Sequence, residues 1–359
     1  MKKVALGMSG GIDSTMSALL LLEQGYEVIG ITMAIWDDSI DIKESIKSGC
    51  YGPGEIHDLE AAKKACAELG IEHYIIELKE EFSQNVLSYF CDTYLDGKTP
   101  NPCVMCNQRM KFGFLPERAK AMGLDFDYFA TGHYVRKSYD KALQRWQLHR
   151  AADSGKDQSY FLCFLSQKQL SHVIFPLGEL TKAEIRELAK RKGFTYLTEK
   201  KESQDFLETD DYSVLFEQNA FSEGDIVDLQ NNVIGTHKGL IHYTIGQRRN
   251  LGISGRSEPW YVLSIDAQAN RVVMGPKQYL YRKELSASNV NWLSIAPPET
   301  EIKASAKIRL QHDPAPCTVI PLGKNKVRVI FNLEQLSITP GQVVAIYHEN
   351  TLLGGGIID

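Results

Sequence analysis

Gly7-Met8-Ser9-Gly10-Gly11-Ile12-Asp13-Ser14 is the stretch on which the reading of this chain turns. An apolar run at residues 4–8 leads into it and a helical pattern over about 14–24 follows, so the glycines fall where a strand becomes a helix. Glycine permits positive φ and close backbone approach, Ser9 and Ser14 offer hydroxyls, and a helix N-terminus presents unpaired N–H groups with a positive dipole. That combination binds phosphate. Asp13 does not suit a bare anion, because a carboxylate repels phosphate unless a cation lies between them; it points to Mg²⁺-pyrophosphate.

Outward from the loop, short apolar runs at 26–33, 73–77 and 128–131 alternate with helical patterns at 57–69 and 80–95. Continuous apolar strands separated by helices predict an α/β domain with a parallel sheet, whose ligands bind beyond the C-terminal strand ends. Past about residue 205 the pattern becomes short alternating runs around turn residues, at 226–235, 261–274, 318–331 and 343–357, the signature of hairpins. The expected organisation is a phosphate-binding α/β domain over 1–205, a central β-rich domain over 206–282 and a C-terminal β-barrel over 283–359. The joint of the last two falls near residue 282.

The 359 residues are 43% hydrophobic and 24% charged, which argues against disorder. No apolar run approaches the ~20 residues of a membrane span, and no signal peptide precedes the loop; a cytoplasmic protein with no membrane partner is expected. Forty Lys+Arg against 45 Asp+Glu, net charge −5, exclude a uniformly basic nucleic-acid coat and leave local patches. Those patches are Arg109 with Lys111, Arg136 with Lys137, residues 190–192, Lys200-Lys201, Arg248-Arg249 and Lys307 with Arg309. Seven cysteines in a long chain read as reduced thiols rather than a disulfide scaffold.

The loop lacks the lysine of G-x-x-x-x-G-K-[ST] and is not the one that serves γ-phosphate transfer. Its Ser-Gly-Gly-x-Asp-Ser order resembles the loop of enzymes that split ATP between the α and β phosphates. Further on, Asn101-Pro102-Cys103-Val104-Met105-Cys106-Asn107 places two thiols three residues apart, a spacing for metal, redox or nucleophilic chemistry. Flanking Arg109 and Lys111 are expected to favour thiolate.

These motifs occur in order with Ala130-Thr131-Gly132-His133-Tyr134, Lys156-Asp157-Gln158-Ser159-Tyr160, Lys200-Lys201-Glu202-Ser203-Gln204, Thr244-Ile245-Gly246-Gln247-Arg248-Arg249 and Trp260-Tyr261-Val262. Over nearly its whole length the chain resembles the bacterial tRNA-specific 2-thiouridylase family. The resemblance implies adenylation of the C2 oxygen of a tRNA wobble uridine, loss of pyrophosphate and attack of a cysteine-borne sulfur. It implies ATP binding by Gly7, Met8, Ser9, Gly10, Gly11, Ile12, Asp13, Ser14, Met33 and Gly132. Catalysis falls to Cys106 and Asp13, and tRNA contact to His133, Lys156, Asp157, Gln158, Arg309 and Leu310. Its cofactors are ATP and Mg²⁺; its partners are tRNA and a sulfur-donor protein or free sulfide.

The chain departs from the family at one place. After Ser203-Gln204 the family carries a second cysteine, within Ile-Cys-Phe, which bears the persulfide; here the sequence runs Asp205-Phe206-Leu207-Glu208. Either another thiol takes that role, Cys103 and Cys163 being candidates, or Cys103, Cys106 and a third cysteine such as Cys163 or Cys50 hold an iron–sulfur cluster. Loss of thiolation is a third possibility. An ATP-pyrophosphatase that amidates a small substrate is the rival enzyme, although it leaves Cys103, Cys106 and the β-rich tail without a task.

Overall fold

Val4, Ala5 and Leu6 are fully buried, as a strand covered on both faces requires. They lie in β1 (Lys3–Gly7) of a computed structural model that describes residues 1–38, 40, 42, 49–199, 205–217, 220–253, 258–323 and 325–359. The chain continues through helix α1 (Ile12–Glu23), β2 (Glu27–Ala34), β3 (Gly49–Tyr51), helix α2 (Glu55–Leu69), β4 (His73–Glu77) and β5 (Tyr128–Ala130). Then come β6 (Val135–Asp140), β7 (Arg145–Arg150), β8 (Val173–Ile174) and β9 (Asp205–Leu207). Five of these strands form one parallel sheet in the order β4-β2-β1-β5-β8. The chain builds outward from β1 through β2 to one edge and through β5 to the other. The switch point therefore lies between β1 and β5, with the glycine loop beyond one strand and Thr131–His133 beyond the other.

The second module pairs β10 (Gly224–Val227), β11 (Val233–His237), β12 (Trp260–Asp266) and β13 (Arg271–Pro276) in the order β11-β10-β13-β12. In the third, β14 (Tyr281–Trp292), β15 (Ile302–Lys307), β16 (Ala315–Pro321), β17 (Val327–Leu336), β18 (Val343–His348) and β19 (Thr351–Ile358) close into a six-stranded barrel through a β14–β19 pairing. The expected fold class is the observed one. Among the described residues no helix is long and apolar enough to cross a membrane.

Three features depart from the sequence reading. The hairpin β6–β7 was not anticipated; it extends the barrel sheet by pairing Leu148 with Leu352 and His149 with Thr351. Strands β3 and β9, three residues each, pair with one another apart from the main sheet. The 12-residue strand β14, which starts at the expected joint near residue 282, was not anticipated. The Lys200–Gln204 motif lies outside the described residues.

Candidate functional site

Beyond the switch point lies a cavity of about 380 Å³, within the range of small-ligand sites. The glycine loop forms one side of it. Gly10 has φ +66°, and a Cβ there would sit 2.6 Å from the Ala61–Ala62 backbone of α2, so the loop packs on α2 only with glycine at this position. The Ser9 and Ser14 hydroxyls lie 3.2 Å apart, and Gly11 caps α1 without a side-chain bond to its first N–H groups. That helix end is thus shaped for an anion. Gly132, after β5, comes so close that its Cβ would lie 3.0 Å from the Asp13 carbonyl carbon. Met33 and Gly132 both line the cavity, as do Gly7, Met8, Ser9, Gly11, Ile12 and Asp13; Ser14 is buried just behind.

Asp13 has partners the sequence did not disclose. The ammonium of Lys182, itself buried, donates to both carboxylate oxygens at 2.8 and 2.7 Å, and the Tyr134 hydroxyl donates at 2.7 Å. Asp13 thus has a countercharge within the protein, beside the bridging Mg²⁺ that the sequence led us to expect. Thr181 and Glu184 form a capping box that fixes Lys182 at the first turn of the helix Lys182–Arg191, which is the only local signal pointing to that position.

The cysteine segment opens at Asn101, whose carboxamide oxygen accepts from the Val104 N–H ahead of Pro102, a strong N-cap followed by an N1 proline. The helix Pro102–Met105 widens into π turns over Cys106–Phe114, an insertion that recurs at functional sites. The barrel braces the segment: Gln342 Nε2 donates to the carbonyls of Thr99 and Pro100 at 3.1 and 2.7 Å. Lys111, on the widened turn, lines the cavity together with His133 and Cys50. Cys103 and Cys106 are half-buried and are not among the residues that line it.

Electrostatics corrects a second expectation. Burial pushes the Cys106 thiol up to about 11 despite the pull of Lys111, and the Cys103 thiol up to about 12, with Cys50 and Cys106 adding to the rise. Desolvation outweighs the nearby cation, so both are thiols rather than thiolates at neutral pH. Arg109 lends no help, since its guanidinium donates to the Asn85 carbonyl. Burial opposes the Lys111 ammonium, but the three sulfurs around it more than reverse this and hold its pKa above the ordinary value. His133 is pushed down to about 3 by burial and by Lys111. It enters the cavity as a neutral ring, hydrogen-bonded to Thr131 Oγ1 at 2.8 Å.

Cys163 is not brought to this cluster. It is fully buried in the core, packed where a Cβ on Gly355 of β19 would come within 2.8 Å of its sulfur. A relay or cluster that draws on Cys163 is therefore corrected. Among the described residues no three His, Cys, Asp or Glu side chains are placed to hold a metal ion, and no step is derived through an iron–sulfur cluster or a protein-held Mg²⁺.

The expected tRNA contacts divide. Asp157 is buried and accepts from the N–H groups of Ala151 and Ser159 and the Ser159 hydroxyl, with Arg150 3.5 Å away; it organises its own turn. Gln158 accepts from the Tyr134 N–H at 2.9 Å and lines the cavity. Lys156 is half-buried, while Arg309 and Leu310 are exposed just past β15. Several basic patches are committed internally: Arg136 donates to the Arg150 carbonyl, Lys137 to the Leu170 carbonyl, and Lys307 is buried. Arg248 and Arg249 remain exposed; Lys200-Lys201 lie outside the described residues.

Three family models match in succession: a tRNA methyl transferase HUP domain over residues 2–207, a tRNA methyl transferase PRC-barrel domain over 213–276, and an aminomethyltransferase beta-barrel domain over 282–358. The tRNA-specific 2-thiouridylase MnmA of Endomicrobium trichonymphae is 44% identical over 358 residues, covering 99% of this chain and 98% of its own. Its counterpart from Acetivibrio thermocellus is 42% identical over 362 residues, covering 99% of each. That of Clostridioides difficile is 39% identical over 363 residues, covering 100% of this chain and 98% of the relative.

Proposed function

The chain belongs to the tRNA-specific 2-thiouridylase family, and on that premise we propose that it replaces the C2 oxygen of a tRNA wobble uridine with sulfur at the expense of ATP. A carbonyl oxygen is a poor leaving group until AMP is attached to it. Adenylation with loss of pyrophosphate followed by attack of a sulfur nucleophile divides one hard substitution into two easier ones. Residues 7–14 with Met33 and Gly132 hold the nucleotide, which brings Mg²⁺ as the counter-ion of the substrate. Lys182 keeps Asp13 neutralised beside the pyrophosphate.

His133, neutral and at the cavity wall, donates or accepts a hydrogen bond at the base without adding charge, and Gln158 lies on the same wall. Cys106 completes the transfer of sulfur, and Lys111 stabilises the thiolate as it forms. The observation that carries this reading is the convergence on one cavity of the glycine loop, Lys111, His133 and the Cys50 thiol, with Cys106 opening the turn that carries Lys111. The base reaches that cavity by leaving its stack, as base-modifying enzymes require. Arg248, Arg249, Arg309 and Lys156 contribute to a tRNA surface whose affinity falls as salt rises.

The test is incubation of the protein with bulk tRNA, ATP and a persulfide or sulfide donor, with pyrophosphate and 2-thiouridine measured together. The expected result is both products, each dependent on ATP and tRNA. Pyrophosphate release that follows a small carboxylate or carbonyl substrate and ammonia, in place of tRNA, would overturn it in favour of the amidating reaction.

A further inference from the structure

Of the seven cysteines, Cys50 is the exposed one; Cys66, Cys163 and Cys317 are buried, and Cys91, Cys103 and Cys106 are half-buried. Cys50 also lines the nucleotide cavity, on which Ser9, Gly11, Asp13, Lys111 and His133 converge. Its position is built rather than incidental. It sits at the centre of β3, which pairs in parallel with β9, Gly49 opposite Asp205 and Tyr51 opposite Leu207. A Cβ on Gly49 would come within 2.4 Å of the Leu207 backbone, and one on Gly52 within 2.5 Å of the Glu208 carboxylate. Glu208 in turn accepts from the Gly54 N–H at 2.8 Å and donates its own N–H to the Tyr51 carbonyl. Below, Tyr51 stacks on Phe82 and Phe206, ring centroids 5.2 and 6.4 Å apart. Three glycines, one carboxylate and an aromatic stack thus hold a thiol at the cavity.

Electron counting gives that thiol a task. A sulfur handed over from a persulfide is at the sulfane level and must gain two electrons to become a thiocarbonyl. Two cysteines supply them by forming a disulfide. The second cysteine must lie near the first: Lys111, on the turn that Cys106 opens, lines the same cavity as Cys50, and Cys50 contributes to the raised pKa of both Cys103 and Cys106.

We propose that Cys50 is the sulfur-carrying residue of this site, loaded by a persulfide donor and discharged by a thiol of the Cys103–Cys106 pair. This rests on the thiolation reading above. In the loading step the Cys50 sulfur attacks the outer sulfur of the donor R–S–SH; the donor S–S bond breaks and its electron pair leaves on RS⁻. The terminal sulfur of Cys50–S–S⁻ then attacks C2 of the adenylated base, the C2–O bond breaks, and AMP leaves with that pair. Attack on the Cys50 sulfur by the deprotonated Cys106 or Cys103 forms a disulfide and expels the transferred sulfur as the C2 thiocarbonyl. An external dithiol reduces the disulfide before the next turnover.

The experiment uses the full chain without oxygen, with ATP, tRNA and inorganic polysulfide as donor, followed by alkylation and peptide mass mapping. Wild-type protein is expected to carry an extra sulfur on Cys50 before tRNA is added. After one turnover without reductant it is expected to hold a disulfide joining Cys50 to Cys103 or Cys106. Cys50→Ser is expected to release pyrophosphate still, which reports its fold, while forming 2-thiouridine at least about a hundredfold more slowly. Cys50→Ser that thiolates at the wild-type rate would overturn the assignment and leave the thiolation reading standing. Wild-type protein that yields neither pyrophosphate nor 2-thiouridine would overturn that reading, and this inference with it.

Discussion

Within one cavity, the phosphate loop is eight consecutive residues whose serine hydroxyls bond within five positions of one another. The sulfur side is assembled from Cys50 and Lys111 on the cavity wall and from Cys103 and Cys106, which do not line it. Its supports come from far along the chain: β9 pairs beside Cys50, and Gln342 reaches Thr99 across 243 positions. The loop places backbone N–H groups, which need no burial to function. Cys103 and Cys106 are half-buried, and their burial sets their chemistry. A site with one local half and one long-range half is expected to fail in two separable ways.

Cys106→Ser tests that separation with the largest effect. Formation of 2-thiouridine should fall at least about a thousandfold, as on removal of a nucleophile that acts as part of a unit, while pyrophosphate release persists. Equal loss of both would break the division between the halves.

The pH dependence comes next. With Cys106 raised to about 11 by burial, its reactive thiolate fraction at pH 7 is small and grows about tenfold per pH unit up to pH 9. The sulfur-transfer step in single turnover should follow that slope, whereas pyrophosphate release should not. Lys111→Met removes the one group that pulls the Cys106 pKa down and should slow transfer further at every pH. A transfer rate flat from pH 7 to 9 would show that Cys106 is not the titrating thiol.

Lys182→Met strikes the other half. It leaves the Asp13 carboxylate beside the pyrophosphate without its ammonium, and KM for ATP should rise about 10–100-fold, or about 1.4–2.7 kcal/mol. Adding Asp13→Asn should recover part of the loss, because the repulsion then disappears. An unchanged KM would place the pair outside nucleotide binding.

The local half was legible because its chemistry is contiguous. The loop at 7–14, the apolar strands before and after it, and Gly132 at the next strand end announce themselves over a few residues each. Lys182 did not, because its partner lies 169 positions away and a lysine opening a capped helix looks like any other. Strands β3 and β9 are too short to show a period, and pairing across the chain is what makes them strands. The β6–β7 hairpin lies between two conspicuous motifs, and its alternation, in 135–140 and 145–150, is short. Cys163 drew attention by following Asp157-Gln158-Ser159-Tyr160; a barrel strand seals it, and nothing near it in sequence foretells that. The thiol pKa expectation failed for a related reason: neighbouring charges are visible in sequence, and burial is not.

The most direct test of the claim that one cavity both activates the base and receives the sulfur is a rapid-quench single turnover that follows pyrophosphate, AMP and 2-thiouridine together. Pyrophosphate is expected first, with AMP and 2-thiouridine then appearing in step and in equal amounts. Formation of 2-thiouridine without matching AMP, or with ADP and phosphate in its place, would contradict it.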